Sequence, residues 1–205
     1  MKKLFYSIFW ACSCALCAID LPKPVVSLPL NEGDFAAIKN LGTAAIEVKV
    51  MHPEQMKWVD GPDGKAIYFA SPLTGNVERG HIQFAMPKEF DLKKPFSFSM
   101  NVKTCPNLRK KGTYYLMRFS NGCEKAAGIN LFITWNMLWF RGGKQGSHVD
   151  LQNNTADISI LEEKWYRFVV VYDGKTAVMY IDGKEVDRKE MNIDSPNTWQ
   201  RVNLG

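Results

Sequence analysis

The sequence lacks several patterns that identify common enzyme and membrane-protein classes. Beyond the first 18 residues, no apolar run is long enough to span a bilayer. No amphipathic helical pattern lasts longer than a turn or two, and no Gly-rich phosphate loop stands between a strand and a helix. His52, His81 and His148 are scattered, and no Cys/His spacing matches a zinc site. These absences argue against a later membrane span, a P-loop nucleotide enzyme and a zinc protein.

The net charge of the chain is also small. The chain has 26 Lys and Arg against 21 Asp and Glu, a net charge of +5, which falls to +3 if Lys2 and Lys3 are removed with a leader. The only local basic run, residues 107–111, is more typical of a solvated loop than of an anion-binding patch. We therefore expect no nucleic-acid partner.

The N-terminus has the composition of a secretory signal peptide. A basic Met1-Lys2-Lys3 precedes an apolar stretch up to Ala18, which is short for a transmembrane helix. Cleavage is predicted after Ala18, and residues 19–27 then form an N-terminal segment containing two prolines. Lipid attachment at Cys14 or Cys17 is an alternative, although neither has an ideal context. The protein is expected to be secreted, periplasmic or at the cell surface.

Of the five cysteines, only Cys105 and Cys123 remain after that cleavage. In an exported protein two such residues are expected to form a disulfide. In the chain-entropy model, closing a loop of this size stabilises the fold by about 3 kcal/mol. The alternative is a pair of separate thiols.

What the sequence does contain is a series of short strand patterns. In residues 96–103 apolar and polar residues alternate, which predicts a strand with one buried face. Further strands are predicted at 114–119, 129–135 and 158–161, and at 137–140, where Gly142 and Gly143 are expected to end the strand. Regular strand spacing without helices predicts an all-β fold, an antiparallel β-sandwich.

Two Asp-Gly dipeptides punctuate the C-terminal third of the chain. Asp173-Gly174 and Asp182-Gly183 separate apolar runs at 165–172, 176–181 and 184–188, and both are predicted to form type I′ turns. The run at 165–172 is apolar on both sides, so we expect a central strand covered on both faces.

These residues carry a resemblance to a known family. WYRFVVVYDG (165–174) followed by VMYIDGK (178–184) is similar to the hairpin of bacterial laminin G-like domains in the concanavalin A-like lectin/glucanase superfamily. Segments 28–33, 58–69 and 90–100 resemble earlier parts of that family in the same order. The resemblance implies a jelly-roll domain over residues 28–205 that opens with a strand at 28–33 and lacks the family's closing strand.

The resemblance also leaves calcium open as a cofactor. The family's Asp-rich turn, a common source of calcium ligands, aligns near Asn40, which is a weak ligand without carboxylates beside it. No metal ligand is therefore assigned from the sequence.

The superfamily includes glycoside hydrolases, so an enzyme is one alternative. Residues Glu185, Asp187 and Glu190 fit the Glu-x-Asp-x-x-Glu pattern of their catalytic strand. However, Arg188 and Lys189 interrupt the pattern directly after a turn, which is more typical of a solvated edge strand. We expect no catalytic residue here and no enzyme activity.

The preferred hypothesis is a non-catalytic recognition module. Exposed aromatic rings stack on sugars, and guanidinium groups hydrogen-bond to them. Trp135, Trp139 and Arg141 lie on or beside one predicted hairpin and are the candidate ligand-binding residues. The expected partner is carbohydrate or a cell-surface protein, and a purely structural or adhesive domain is a further alternative.

Overall fold

The computed structural model describes residues 23–69, 79–88, 90–103, 113–120, 127–134, 137–153, 164–197 and 200–205. The predicted signal peptide, Cys105, Cys123, Trp135 and the strand at 158–161 lie outside these ranges. The described elements are two three-residue 3-10 helices, Phe35–Ala37 and Pro53–Gln55, and thirteen strands. Neither of these helices is long or apolar enough to cross a membrane.

The strands are β1 (Val48–Met51), β2 (Met56–Gly61), β3 (Gly64–Phe69), β4 (His81–Ala85), β5 (Phe96–Lys103), β6 (Thr113–Ser120), β7 (Gly128–Thr134), β8 (Met137–Lys144), β9 (Ser147–Gln152), β10 (Trp165–Tyr172), β11 (Thr176–Ile181), β12 (Lys184–Glu190) and β13 (Arg201–Leu204).

The strands form two main sheets and one small hairpin. Seven strands pair in the order β1-β4-β13-β6-β7-β8-β9, four pair in the order β12-β11-β10-β5, and β2 pairs with β3. Neighbouring strands are antiparallel throughout. The predicted all-β antiparallel sandwich is confirmed. Strand β13 lies inside the larger sheet, between β4 and β6.

The two sheets stack through their apolar faces. Phe140 on β8 has no exposed surface, and its ring centroid lies 5.7 Å from that of Phe98 on β5 in the opposite sheet. The side-chain hydroxyl of buried Tyr172 has a hydrogen-bond partner, because it donates to the carbonyl of Met191 at 3.2 Å. Residues with no exposed surface come from both sheets and include Ile82, Leu131, Leu138, Leu151, Phe168, Val170, Ala177, Met179 and Val202.

Strand β5 confirms the alternation read from the sequence. Its burial alternates at every residue, because successive side chains in a strand point to opposite faces. Phe96, Phe98, Met100 and Val102 pack against the core, whereas the polar residues between them are exposed.

Strand β10 is central, as predicted, but it is covered on one face only. It lies between β5 and β11, and Phe168 and Val170 on its inner side are fully buried. On its outer side Val169 is half-buried and Val171 is 40% exposed. The prediction of two covered faces is wrong because β-branched residues also favour strands through cross-strand packing, and Val171 pairs with Val178.

The two Asp-Gly dipeptides form different turns. Asp182 and Gly183 have φ of 49° and 80°, so the predicted type I′ turn is confirmed there. At the first dipeptide only Gly174 has a positive φ, of 99°, and the type I′ prediction is wrong. Instead, the Asp173 carboxylate accepts the backbone N–H groups of Thr176 and Lys175 at 2.7 and 2.8 Å, which closes a longer connection. These bonds lower the pKa of Asp173.

Gly142 and Gly143 do not end β8, which continues to Lys144. A Cβ on Gly142 would lie 2.6 Å from the sulfur of Met191 and 2.9 Å from Cδ1 of Ile193. The carbonyl of Gly143 accepts the N–H of Asp194 at 3.1 Å. The glycines therefore let the chain after β12 cross closely over β8, and the prediction that they terminate the strand is wrong.

The opening strand expected from the resemblance is also absent. Residues 28–33 form no strand, and Leu30 and Gly33 have φ of 54° and 76°. These left-handed conformations interrupt an extended backbone, so the segment cannot continue a sheet ladder.

Candidate functional site

Trp139 and Arg141 are alternate residues of β8 and lie on the same side of the seven-stranded sheet. Their neighbours Leu138 and Phe140 are fully buried in the core on the opposite side. We call the side that carries Trp139 and Arg141 the outer face. The structure thus brings these two predicted site residues together.

Aromatic side chains from three neighbouring strands form a row on the outer face. Tyr115 on β6 and Trp139 on β8 both pair with Phe132 on the intervening β7. The ring centroids of Tyr115 and Phe132 are 5.5 Å apart, and those of Phe132 and Trp139 are 6.1 Å apart. We call these three residues the aromatic row. Such contacts stabilise by about 0.5–1.5 kcal/mol beyond area burial.

The indole of Trp139 is held flat within this row. Its plane is 10° from that of Phe132, which is only 5% exposed. Trp139 is half-buried, and its Nε1 is buried without a hydrogen-bond partner. A buried donor without an acceptor costs about 1–3 kcal/mol. The ring position is therefore set by stacking rather than by hydrogen bonding.

Beside the aromatic row, Arg141 makes a two-point ion pair with Asp150 of β9. Its Nε and Nη2 donate to Oδ1 and Oδ2 of Asp150 at 2.7 and 2.8 Å. The two side chains are 19% and 18% exposed. The Arg141 guanidinium also lies 5.3 Å from the ring centroid of Phe132, a cation–π contact. Both interactions fix a planar array of donors next to the aromatic row.

Arg141 and Asp150 belong to a line of polar and charged residues that runs beside the aromatic row and crosses all seven strands of the sheet. Gln83 donates to Asn203 at 3.0 Å, and buried Ser120 donates to Asn130 at 2.9 Å. The pairing registers place one polar residue from every strand in the same line. We call this line the polar row; it consists of Lys49, Gln83, Asn203, Arg118, Asn130, Arg141 and Asp150.

Sequence reasoning missed most of both rows. Asn130 alone gave a local signal, since it is the only polar residue in the otherwise apolar run from Gly128 to Ile133. Asn203 and Gln83 are 120 residues apart, so only the register of β13 against β4 brings them together. Trp135, the third predicted ligand contact, is outside the described residues.

The acidic motif of β12 does not form a pair of catalytic carboxylates. Glu185 is bound at both oxygens by Arg188, at 2.9 and 2.8 Å, and this hydrogen bonding lowers the pKa of Glu185. A glycosidase acid needs the opposite shift. Glu190 lies 2.9 Å from Lys175. Strand β12 is an edge strand with mostly exposed residues, in agreement with the sequence-based interpretation.

The third acid of this motif, Asp187, joins the edges of the two sheets. Its Oδ2 accepts the backbone N–H of Gln152 on β9 at 3.0 Å. Two residues further, the Lys189 ammonium donates to the Asp150 carbonyl at 2.7 Å. Both β9 and β12 are edge strands. Side chains of one edge therefore occupy backbone groups of the other, which would otherwise be open to pairing with another chain.

We expect the Asp187→Ala substitution to lower the free energy of unfolding by about 1.5–3 kcal/mol, the range for a hydrogen bond to a charged group. Equilibrium urea denaturation followed by tryptophan fluorescence measures this. Glu185→Ala is the matched control, because Glu185 lies on the same strand and its carboxylate binds Arg188, a side chain that is itself exposed. Equal stability of the two variants would refute the edge contact.

Asn40, the residue aligned with the family's calcium turn, has a structural role. Its Oδ1 accepts the N–H groups of Ser27 and Gly42 at 2.7 and 3.0 Å, and its Nδ2 donates to the Ala44 carbonyl at 2.7 Å. The amide is thus committed to joining two loops and does not fit a calcium ligand. Within the described part of the chain, no group of three His, Cys, Asp or Glu residues could hold a metal ion.

Comparison with solved structures shows the same sandwich in larger proteins. The binding domain of botulinum neurotoxin DC, solved with rat synaptotagmin II, matches with a TM-score of 0.66 and 16% identity over 88% of this chain and 43% of that one. A structure of botulinum neurotoxin type C, whose cell entry is dependent upon interaction with two ganglioside molecules, matches with a TM-score of 0.63 and 14% identity. This match covers 89% of this chain and 42% of that one. The chain therefore spans less than half of these neighbours.

Sequence comparison identifies the family. No curated protein sequence matches the chain. A family model described as the concanavalin A-like lectin/glucanases superfamily, laminin G type, matches residues 75–205. This segment contains β4 to β13, and with them both main sheets except β1. The chain therefore belongs to the concanavalin A-like lectin/glucanase superfamily, as a laminin G-like domain.

Proposed function

We propose that this protein is an exported, non-catalytic recognition module that binds carbohydrate on the outer face of its seven-stranded sheet. The observation that carries the proposal is the aromatic row lying directly beside the polar row. Sugars have apolar C–H faces and a rim of hydroxyls, and they bind where aromatic rings adjoin fixed hydrogen-bonding groups.

The candidate contacts on this face are Trp139 and Arg141, with Trp135 as a further candidate from the sequence. Stacking on Phe132 and pairing with Asp150 hold the two described side chains in place. Such preorganisation reduces the entropy lost when a ligand binds. The same reasoning adds half-buried Tyr115 to the candidate surface, whereas Asn130 is only 3% exposed and supports the surface from below.

The structural neighbours support binding as the general role. One of them is solved in complex with synaptotagmin, and the cell entry of another depends on gangliosides. Since this chain matches only 42–43% of those proteins, their ligands do not transfer directly. A cell-surface protein is accordingly the second partner class that we propose, after carbohydrate.

A non-catalytic role is supported by the basic partners of the three acidic side chains on β12. Each of Glu185, Asp187 and Glu190 has a basic partner within 3.2 Å. Arg188 lowers the pKa of Glu185, whereas the acid of a glycosidase pair needs a raised pKa. Export is proposed from the N-terminal leader pattern. Calcium independence is proposed from the structural role of Asn40.

An adhesive role is the second candidate function, and a different surface favours it. On the outer side of the four-stranded sheet, Val169 pairs with Tyr180 and Val171 pairs with Val178. Val171 is 40% exposed. Val169 and Tyr180 are half-buried, while Val178 is buried. Adjoining apolar residues that are partly exposed on a sheet form a surface on which another protein could pack.

A glycan array probed with the chain lacking residues 1–18, in calcium and in chelator, tests the proposed function. We expect specific glycan signals that are equal in both conditions. Loss of signal with chelator would overturn calcium independence. Absence of any glycan binding would contradict carbohydrate recognition, and release of reducing ends from a polysaccharide would contradict the non-catalytic role.

A further inference from the structure

The two main sheets have four edge strands, and three of these edges are protected against pairing with another chain. Strands β9 and β12 are joined to each other through Asp187 and Lys189. Strand β1 has only four residues, and a short edge offers few groups to a partner. The fourth edge strand, β5, has eight residues, and Lys103 at its end is its only charged side chain. Strand β5 is therefore the edge that is open to pairing.

The direction of the backbone groups of β5 follows from its neighbour β10. The N–H of Arg167 donates to Oδ1 of Asp182 at 2.8 Å, and its carbonyl accepts the N–H of Asp182 at 2.9 Å, so Arg167 faces β11. Backbone groups alternate sides along an antiparallel strand, and therefore the even-numbered residues of β10 face β5. They pair with the even-numbered residues of β5.

The odd-numbered residues of β5 consequently direct their N–H and carbonyl groups away from β10. These residues are Ser97, Ser99, Asn101 and Lys103. No other strand within the described ranges pairs with β5. A row of backbone donors and acceptors along one side of the strand is thus available to a further strand.

The core-facing side chains of β5 are incompletely covered as well. Met100 is half-buried, although Phe168, its neighbour on β10, has no exposed surface. The other half-buried residues on this side of β5 are Phe96, Phe98 and Val102. Since all four pack against the core, a strand added at this edge would remove apolar surface from water besides pairing the backbone.

The sequence of β5 is compatible with an antiparallel copy of itself. When Ser99 lies opposite Ser99 of a second copy, Ser97 lies opposite Asn101, so every such pair joins residues whose backbone groups point outward. Each of the three pairs exchanges two hydrogen bonds, which gives about six across the edge.

The same register suits the side chains. On the core side it places Phe98 opposite Met100 of the second copy, which brings two half-buried apolar side chains together. Lys103 lies opposite Pro95, so no like charges face each other. Backbone direction, apolar contact and charge therefore agree on one register.

From this agreement, we propose that two copies of the protein pair antiparallel along β5, centred on Ser99, and join their four-stranded sheets into one sheet of eight strands. Each copy contributes one strand of eight residues, whereas a standard interface takes roughly 20–30 residues a side. We therefore expect a weak dimer, with a Kd of about 10–100 µM.

This arrangement has a consequence for the carbohydrate-binding face. The two-fold axis is perpendicular to the joined sheet, because paired residues of antiparallel strands point to the same side. The outer faces of both seven-stranded sheets then point in the same direction. This consequence rests on the proposed carbohydrate function, and it gives the dimer two binding faces that engage one glycan surface together.

Sedimentation equilibrium of the chain lacking residues 1–18, from about 1 to 500 µM, tests the pairing. We expect the mass to rise from that of one chain to that of two and no further, because the pairing uses up both open edges. A single chain at every concentration would overturn the proposal and leave β5 to a strand of another protein. Oligomers that grow beyond two would also overturn it.

Charges placed on the two-fold axis test the register. Ser99→Lys and Ser99→Glu each put two like charges opposite each other, and we expect each to weaken the dimer by about tenfold or more. An equimolar mixture of the two variants should form a heterodimer at least as tight as the wild-type dimer. Ser147→Lys is the matched control, because Ser147 is an exposed serine on β9, an edge of the other sheet. It should dimerise as the wild type does.

Ser99→Pro is a second test that does not depend on charge. It removes an N–H that points away from β10, a position at which edge strands tolerate proline, and should abolish the dimer. Circular dichroism melting checks that each variant is folded. Wild-type dimerisation of folded Ser99→Lys and Ser99→Pro variants would place the interface elsewhere and overturn the proposal.

The binding consequence is tested separately with the Ser99→Lys variant. It should keep wild-type affinity for a soluble oligosaccharide but bind a glycan-coated surface at least tenfold more weakly, because it has lost the second face. Equal binding to the coated surface by a variant that no longer dimerises would contradict the shared orientation and leave the pairing standing. A blank glycan array would overturn the carbohydrate function without affecting the dimer.

Discussion

The Phe140→Ala variant is expected to lose about 3–5 kcal/mol of folding free energy, the range for removing a buried aromatic side chain. Phe140 has no exposed surface and packs across the sandwich against Phe98. The cavity would lie between the two sheets, where paired strands on both sides prevent collapse. Equilibrium urea denaturation gives the change from the shift in midpoint at constant slope.

Val171→Ala is the control for this measurement. Val171 is 40% exposed on the outer side of the four-stranded sheet, and its truncation should change stability by less than about 0.5 kcal/mol. If Phe140→Ala cost no more than Val171→Ala, the two sheets would not share the core described above. A variant too unstable to purify can be replaced by Phe140→Leu, which is expected to lose less but still more than the control.

The second large effect concerns ligand binding. Trp139→Ala removes the indole at one end of the aromatic row and is expected to weaken glycan binding at least tenfold, equivalent to about 1.4 kcal/mol. The physical reason is the loss of the flat apolar surface against which a sugar ring stacks. Surface plasmon resonance with the best ligand from the glycan array measures the change.

Trp165→Ala is a closely matched control, because Trp165 is also half-buried and lies at the start of β10 in the other sheet. It should leave affinity within twofold of the wild type. Circular dichroism melting of both variants separates a lost contact from a lost fold. Equal affinities for Trp139→Ala and wild type, in a folded variant, would remove Trp139 from the binding surface.

Local patterns predicted the fold correctly where one strand or turn carries its own information. The alternation in β5 and the Asp182-Gly183 turn depend on side chains and dihedral angles within a few residues. The same reasoning was wrong for Asp173-Gly174, because the carboxylate of Asp173 formed a competing side-chain turn. Asp and Asn favour both structures, so a dipeptide alone does not distinguish them.

The errors at Gly142 and Val171 have a tertiary origin. Gly142 is needed because Met191 and Ile193 pass over β8, a contact that neighbouring sequence does not reveal. Val171 lies on the exposed side of the four-stranded sheet, and an apolar residue is stabilised there by packing against Val178 on the neighbouring strand. Glycine was interpreted as the end of a strand, but here it makes room for a crossing segment. Valine was interpreted as a sign of burial, but here it packs against a neighbouring strand.

The candidate site was less predictable than the fold. Trp139 and Arg141 were found because they are two residues apart on one strand and so share a face. Asp150 is nine residues from Arg141 and opposes it through the β8–β9 hairpin. Lys49, Gln83 and Asn203 come from distant parts of the chain, and only the order β1-β4-β13 aligns them. Sheet order is a long-range property that single-sequence periodicity does not contain.

The acidic motif shows how a sequence match can arise for structural reasons. Glu185 and Glu190 neutralise surface cations, while Asp187 binds the backbone of β9. Charged residues on an edge strand also discourage pairing with other sheets. The pattern that resembles a catalytic strand thus serves the edge of the sandwich.

The location of the ligand tests the carbohydrate-binding face most directly. We would titrate ¹⁵N-labelled protein with an oligosaccharide of the best-binding glycan and map the amide shifts in two-dimensional NMR spectra. The largest shifts are expected on β6, β7, β8 and β9, at and around Tyr115, Phe132, Trp139 and Arg141. Shifts confined to β5, β10, β11 and β12 would place the ligand on the opposite sheet and contradict the proposed binding surface.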